Sequence, residues 1–455
     1  MTRHPARLSR LLALVYLLVR LGLPEHAAQA VPPVQRMVLP NQLVLLVSKE
    51  HSLPLVTLQL SVDAGAWRDP QGAEGLAYMT ASGLLQGTST HTATALHEEL
   101  TFLGAFLQAS SGRDYATVRL QVLQRNLDRG IDLFLEVLTQ PAFPEEEIRR
   151  GIEQTVATVQ AAEGRPQQVV ERAFEMALFL AGPYGHPVEG TPTSLPRLTR
   201  EGLIAFHRTY YRPNNAILTV VGDITREEIA AKLLPRLAAW PAGKIPEMAL
   251  RPQFAQGPKT VQIDRPVTQA HIVVGHAGIR RGNPDFYALS VMSYILGGRL
   301  VHEIQSKRGL TYAVNSLFDL GRYPGAFRIV LQTKNASARE AISLALQRME
   351  RMRQVMVSEE ELERAKRYLV GRFRALFGTQ AGLADLLGEV EYYRLGLDYL
   401  ERYPSLVHSV TREDVLRVAR AYLHPESPIL VVVAHLKEAG LDEPGKSPPF
   451  RSSGP

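Results

Sequence analysis

The chain has 455 residues, 45% of them hydrophobic and 21% charged, an ordinary globular balance with room for two or more domains that have full cores. It contains no cysteine, which excludes disulfides, thiolate metal sites and cysteine nucleophiles. The formal charge of +6 is carried by basic residues mixed with glutamates, as in Glu359-Glu-Glu-Leu-Glu-Arg-Ala-Lys-Arg367, and such runs make solvated helix faces rather than a nucleic-acid stripe.

In chain order, Arg3, Arg7 and Arg10 precede an apolar run over 11–23, interrupted by Arg20, and Ala28-Gln29-Ala30 offers small residues for cleavage. This predicts a secretory signal peptide over 1–30 and an exported, periplasmic or secreted protein. The alternative is an uncleaved anchor, for which the apolar run is short. Cleavage after Ala30 would remove four arginines and Glu25 and leave only a mild positive charge. Residues 55–62 alternate apolar with polar side chains and predict a half-buried strand. Helical patterns follow at 74–86 and 92–103, strands at 105–110 and 115–122, and long helices at 125–139, 145–163 and 167–180.

A second pass through the same order begins with a strand at 269–276. A helix at 284–296, strands at 312–319 and 326–333, and helical segments over 336–422 come after it. The repeat is visible in residue identities: Thr199-Arg-Glu201 and Thr411-Arg-Glu413 lie 212 residues apart, and at that offset Tyr210 matches Tyr422 and Pro213 matches Pro425. Thr199 and Thr411 suit helix N-caps. The apolar segments 216–222 and 428–434 then read as equivalent buried strands. Two strands in direct succession favour an antiparallel sheet with helices gathered on one face, an α+β arrangement, in each half. The boundaries are placed at 31–242 and 258–438. A linker at 243–257 joins them, within the cluster Pro241, Gly243, Pro246, Pro252 and Gly257, and a Gly-, Pro- and Ser-rich tail at 439–455 is expected to be disordered.

The segment Gly75-Leu-Ala-Tyr-Met-Thr-Ala-Ser-Gly-Leu-Leu-Gln-Gly-Thr88 resembles the frame of the inverted zinc motif H-x-x-E-H in the M16 family of metallopeptidases (pitrilysin, insulinase, mitochondrial processing peptidase). Further motifs of the resemblance are Asp114-Tyr115, Pro141-Ala-Phe-Pro-Glu-Glu-Glu147, Pro183-Tyr-Gly-His-Pro187, Tyr210-Tyr-Arg-Pro-Asn-Asn215, Leu296-Gly-Gly298 and Lys307-Arg-Gly-Leu-Thr-Tyr312. The resemblance implies two homologous α+β domains of the M16/LuxS-metallohydrolase kind that close with a second pair around a peptide. It also marks which residues have changed. Tyr78 and Ser82 stand at the two histidine places, Ala81 at the general base, and Thr158 at the place of a third, glutamate ligand on a later helix. A catalytic zinc needs three donors and a nearby carboxylate. None of the four residues supplies one.

The resemblance further implies that the second half faces the zinc site of a paired chain, where an arginine and a tyrosine seven residues apart stabilise the developing oxyanion. Tyr312 holds the tyrosine place, Gln305 stands where arginine is expected, and Arg308 or Lys307 could supply charge at a different spacing. The loop after Leu296 runs directly from Gly297-Gly298 into Arg299-Leu300 and reads as shortened. The other reading of Tyr312 is a strand residue with a local role.

The remaining candidates are weak. His91, His97, Glu98 and Glu99 suggest a displaced metal site, yet the histidine spacing does not share a helical face. His271 and His276 point to opposite faces of one strand. His186 sits in a turn between prolines. Ser82 lacks a nucleophile elbow, and Gly297-Gly298 lacks the residues of a phosphate loop.

The expectation is therefore a non-catalytic M16-like subunit that binds no cofactor itself, pairs with a zinc-bearing homologue and completes its peptide chamber. It has no nucleic-acid partner and no membrane span after signal cleavage. A peptide-binding or scaffold homodimer is the alternative from another class. An active enzyme would need three relocated ligands and a new base.

Overall fold

Val56, Leu58, Leu60 and Val62 alternate with Thr57, Gln59 and Ser61 along β3 (Leu55–Val62), so one face of this strand is apolar and the other polar. In the computed structural model, which describes residues 33–248 and 251–441, β3 pairs antiparallel with β5 (Ala116–Leu123) and β7 (Ala216–Gly222). Adding β1 (Val34–Val38), β2 (Val44–Lys49) and β4 (Phe106–Ser111) gives a six-stranded sheet of order β1-β2-β7-β3-β5-β4.

The second half repeats the core as a five-stranded sheet of order β11-β12-β10-β13-β9. Its strands are β9 (Lys259–Asp264), β10 (Gln269–Ala277), β11 (Thr311–Leu320), β12 (Pro324–Lys334) and β13 (Ile429–Ala434). The sheets are mainly antiparallel, as expected, with one parallel pair in each, β2 with β7 and β9 with β13. Each parallel pair joins the opening of a half to its last strand, which leaves the long crossover that parallel pairing requires.

The first sheet packs its apolar face on α1 (Leu76–Gly83), α3 (Leu127–Thr139) and α6 (Arg200–Tyr210), whose Ala77, Met79, Ile131, Phe134, Leu203 and Phe206 share one core with Leu58 and Leu60. Between them lie α2 (Ala93–Phe102), α4 (Glu145–Glu163) and α5 (Pro166–Leu178). The second half contributes α7 (Phe286–Leu300), α8 (Ala338–Gln354), α9 (Glu359–Leu376), α10 (Gln380–Tyr392), α11 (Tyr399–His408) and α12 (Arg412–Tyr422). Thr199 and Thr411 cap their helices as the repeat predicts, each Oγ1 accepting a backbone N–H, from Gly202 at 3.1 Å and from Asp414 at 3.0 Å.

Beyond the helices gathered on one face, each sheet also receives a helix on its other face, because the halves exchange one. α5, from the first half, lies on β10 and β13 of the second sheet, and the ring of Phe174 fits where Gly275 has no side chain: a Cβ there would stand 3.0 Å from it. In return α10 lies on β3 and β7 of the first sheet, with Gly388 against Ser61 and Gln380 accepting a hydrogen bond from Thr57 at 3.4 Å. The polar face of β3 is thereby buried: Thr57, Gln59 and Ser61 are at most 1% exposed, so the strand is covered on both faces instead of one.

A polar clamp also crosses between the halves. Asp63 accepts from Trp67 Nε1 at 3.1 Å and from Tyr392 Oη at 2.8 Å, and it pairs with Arg68 at 2.7 Å and Arg322 at 3.0 Å. The buried Asp114 carboxylate accepts from Tyr184 and Tyr393 hydroxyls and from the backbone N–H of Arg322 at 2.6 Å. Burial, with Asp63 and Asp114 alongside, holds the Tyr392 and Tyr393 hydroxyls far above their ordinary ionisation range, so they remain donors.

The 243–257 segment is tied down at several points. Asn214 and Gly243 exchange two hydrogen bonds at 2.7 and 3.0 Å, and β8 (Gln253–Phe254) pairs with β6 (Phe179–Ala181). The predicted signal peptide and residues 442–455 of the predicted tail lie outside the described residues. Within the tail's predicted range, Ala439 closes a short helical turn and Leu441 is buried. No helix among the described residues is long and apolar enough to cross a membrane.

Candidate functional site

The helix carrying the vacant motif, α1, begins at Gly75, whose φ of 95° and contact with Glu189 leave no room for a side chain. Because Gly75 cannot cap, Asp69 does so from outside: its carboxylate accepts the N–H groups of Gly75 and Ala77, both at 2.8 Å. Met79 and Gly83 face α4, with Thr155 Oγ1 3.5 Å from the Met79 sulfur and a Cβ at Gly83 2.8 Å from Phe143. Tyr78 and Ser82 lie on the adjoining, half-buried face.

The four positions corresponding to ligands and base do not fit a zinc ion. Ser82 donates its hydroxyl to the carbonyl of Tyr78 at 3.0 Å, and Thr158, exposed on α4, donates to the carbonyl of Gln154 at 2.9 Å. Both hydroxyls are thus turned back on their own helices. Ala81 is buried and has no donor atom, and Tyr78 offers only a phenol. No group of three His, Asp or Glu side chains placed to hold a metal ion occurs among the described residues.

The histidines that could suggest a displaced site are spoken for. His91 reaches Glu136 through Nδ1 at 2.8 Å and Glu99 through Nε2 at 3.1 Å, on opposite edges of its ring, so the three cannot converge on one ion. His97 and Glu98 are exposed. His271 and His276 occupy β10 five residues apart, and His276 is buried with its Nε2 accepting the backbone N–H of His424 at 3.2 Å.

In the second half the structure brings Gln305 and Tyr312 together: the Gln305 amide donates to the Tyr312 carbonyl at 3.3 Å, and Tyr312 is 57% exposed on the outer strand β11. Arg308 is drawn elsewhere, to Glu303 at 3.1 Å and Glu340 at 2.9 Å, and those carboxylates raise its pKa further. Lys307 also turns to Glu303, at 3.8 Å. The shortened loop after Leu296 is no loop at all. Gly297 and Gly298 are helical within α7, which passes into a π-helical turn at Val301–Ser306 before β11.

The family model described as insulinase (peptidase family M16) matches residues 44–192, and that described as peptidase M16 inactive domain matches residues 197–369. The chain belongs to the M16 family. It is 23% identical over 417 residues to an uncharacterized zinc protease of Streptomyces coelicolor, covering 89% of this chain and 90% of that one. The crystal structure of a peptidase M16 inactive domain from Pseudomonas fluorescens superposes with a TM-score of 0.83 at 28% identity, covering 88% of this chain and 98% of that one. A protease from Helicobacter pylori shares the fold, with a TM-score of 0.81 at 19% identity over 89% of this chain and all of that one.

Sequence reasoning missed the support behind the M16 motif helix of this chain. Burial pushes the Asp69 carboxyl up to about 8 against the pull of its two N–H donors, with Glu74 adding to the rise. His186 lies 4.0 Å from Asp69 with Nδ1 on the Pro187 carbonyl, and burial lowers its pKa and keeps it neutral. The signal available was Asp69 six residues before a glycine that cannot cap its own helix. The M16 chain therefore retains a well-built scaffold around positions that have lost their ligands.

Proposed function

We propose that this chain is a non-catalytic M16 subunit, exported by its leader, that pairs with a zinc-bearing M16 homologue and forms one wall of a peptide-degrading chamber. The observation that carries the reading is the contrast at α1. The helix, its Asp69 cap and its packing on α4 are complete, while Tyr78, Ala81, Ser82 and Thr158 supply neither ligand nor base. The zinc that chemistry requires would be held by the partner. Tyr312, exposed and steadied through Gln305, would face the partner's site and donate a hydrogen bond to the substrate carbonyl as charge develops there.

The reading is tested by affinity purification of the tagged mature chain from its native envelope, with mass spectrometry of what co-purifies. A stoichiometric H-x-x-E-H homologue is expected. Recovery of this chain alone as a homodimer would favour a peptide-binding scaffold, and stoichiometric zinc in the chain alone, with activity lost to a chelator, would overturn the non-catalytic assignment. In the complex, Tyr312→Phe should slow hydrolysis about 100-fold, within the range for loss of one oxyanion donor, without preventing assembly. An unchanged rate would remove that role from Tyr312.

A further inference from the structure

A cleft of about 1160 Å³ opens in the second half between α7, α8, α9 and the outer strand β11. It occupies the place that the first half gives to the vacant motif. α7 follows β10 as α1 follows β3, α9 follows α8 as α4 follows α3, and β11 ends its sheet as β4 does. The first half inserts α2 between motif helix and outer strand, whereas the second has only the π-helical turn, so this side stands open.

The cleft has a charge pattern of its own. Glu361, Arg364, Tyr368 and Arg372 recur at helical spacing along α9 and form one stripe of its wall. Tyr368 stacks on Tyr294 of α7 with ring centroids 4.4 Å apart, and remains 45% exposed. Both carboxylates of the lining are committed: Glu361 holds Arg299 through bonds of 2.7 and 2.8 Å, and Glu303 holds Arg348 at 3.0 Å. Arg364 reaches only the exposed Glu360, at 3.5 Å, and neither Arg351 nor Arg372 has an acidic partner among the described residues. The guanidiniums of Arg351 and Arg372 therefore face the cleft without a matching anion, and that of Arg364 with only its exposed neighbour one turn back on α9. Along its floor, β11 is paired through β12 alone, and its other edge presents free backbone donors and acceptors.

We propose that this cleft binds an acidic stretch of an extended peptide, its backbone laid along the open edge of β11 and its carboxylates taken by Arg351, Arg364 and Arg372. Edge-strand addition supplies sequence-independent hydrogen bonds, and alternate side chains then point at the arginine stripe. The biological meaning rests on the chamber reading, as the means by which the subunit selects acidic peptides. The binding itself needs no partner.

The test uses the mature full-length chain and a fluorescently labelled peptide alternating glutamate with threonine, beside counterparts with glutamine or lysine in place of glutamate. Anisotropy should show the glutamate peptide binding about tenfold tighter than the glutamine peptide at low salt, each exposed pair contributing a factor of roughly two to five. The preference should shrink at high salt and vanish in the triple variant R351Q/R364Q/R372Q. Should that variant fold poorly, Tyr368→Glu, which sets one carboxylate among the three guanidiniums, should weaken the preference for the glutamate peptide several-fold. Equal affinity for the three peptides, no binding of any, or a preference unchanged in the altered chains would overturn the proposal. Failure to recover a zinc-bearing partner would remove the chamber reading and leave this result standing.

Discussion

Phe174→Ala tests whether the exchanged helices make one cooperative unit of the two halves. The Phe174 side chain is wholly buried on α5, within a cluster that joins Trp67 and Tyr184 of the first half to Val273, Val431 and Val433 of the second sheet. Truncating a buried phenylalanine costs about 3–5 kcal/mol. The upper part of that range is expected, because β10 at Gly275 and the backbone of α5 hold the walls apart and the cavity cannot collapse. Against a typical total of about 5–15 kcal/mol, that is a large fraction of the stability.

The two tryptophans allow the consequence to be read at separate places. Trp67 sits in the shared cluster and Trp240 in the first-half core. Urea unfolding should be followed by fluorescence in Trp67→Phe and Trp240→Phe backgrounds, each with and without Phe174→Ala, every variant being referred to its own parent. One cooperative unit requires both midpoints to fall together. A Trp67 midpoint that falls while the Trp240 midpoint stays in place would refute the reasoning and show that the halves unfold separately.

Two further perturbations follow from buried polar groups. Burial lowers His207 and His276 from 6.5 to about 4, so the folded state binds fewer protons than the unfolded chain between those values. Stability is then full above pH 6.5 and falls on acidification, by about 2–3 kcal/mol for each imidazole near pH 4.5, and urea titrations of His207→Gln/His276→Gln should show a flatter profile. Asp114→Asn places an amide NH₂ where Asp114 now accepts from Tyr184 on one oxygen and from Tyr393 and Arg322 on the other. It should lower stability by about 2–3 kcal/mol, and an unchanged thermal transition would show that the clamp contributes nothing.

Much of the fold was legible because its signals are local. Thr199 and Thr411 announce helix starts through capping, and the long helix over 145–163 shows its amphipathic period without help from tertiary structure. The elements that escaped are those whose pattern is ambiguous or carries little burial. Val44-Leu-Leu-Val47 is a continuous apolar run that periodicity cannot assign, and β9 is largely exposed with a polar alternating sequence. The helix exchange was invisible for a different reason: the apolar stripe of α5 or α10 says that a face is buried, but not in which half. The same limit explains β3, whose polar face looked solvent-exposed until a helix from more than 300 residues downstream was found covering it.

The candidate site divides along the same line. The lost donors at Tyr78, Ala81, Ser82 and Thr158 are a matter of residue identity, and the sequence displays them directly. That Arg308 is diverted to Glu303 and Glu340 while Gln305 stays beside Tyr312 depends on a π-helical turn that no local pattern announces.

The exchanged helices also impose an order in time. Thr57 meets Gln380 across 323 residues of chain, so at roughly 5–20 residues per second the first sheet waits some 15–65 s after its central strand is made before α10 exists to cover it. Phe174 waits for a stretch of only about 100 residues before Gly275 appears. The longer wait falls on a mixed face, where Thr57, Gln59, Ser61 and Thr219 stand beside Leu46 and Val221, and the shorter one on the apolar ring, which is prone to aggregate. The polar residues beneath α10 thus limit the apolar surface that a newborn first half exposes until the end of the chain arrives to cover it.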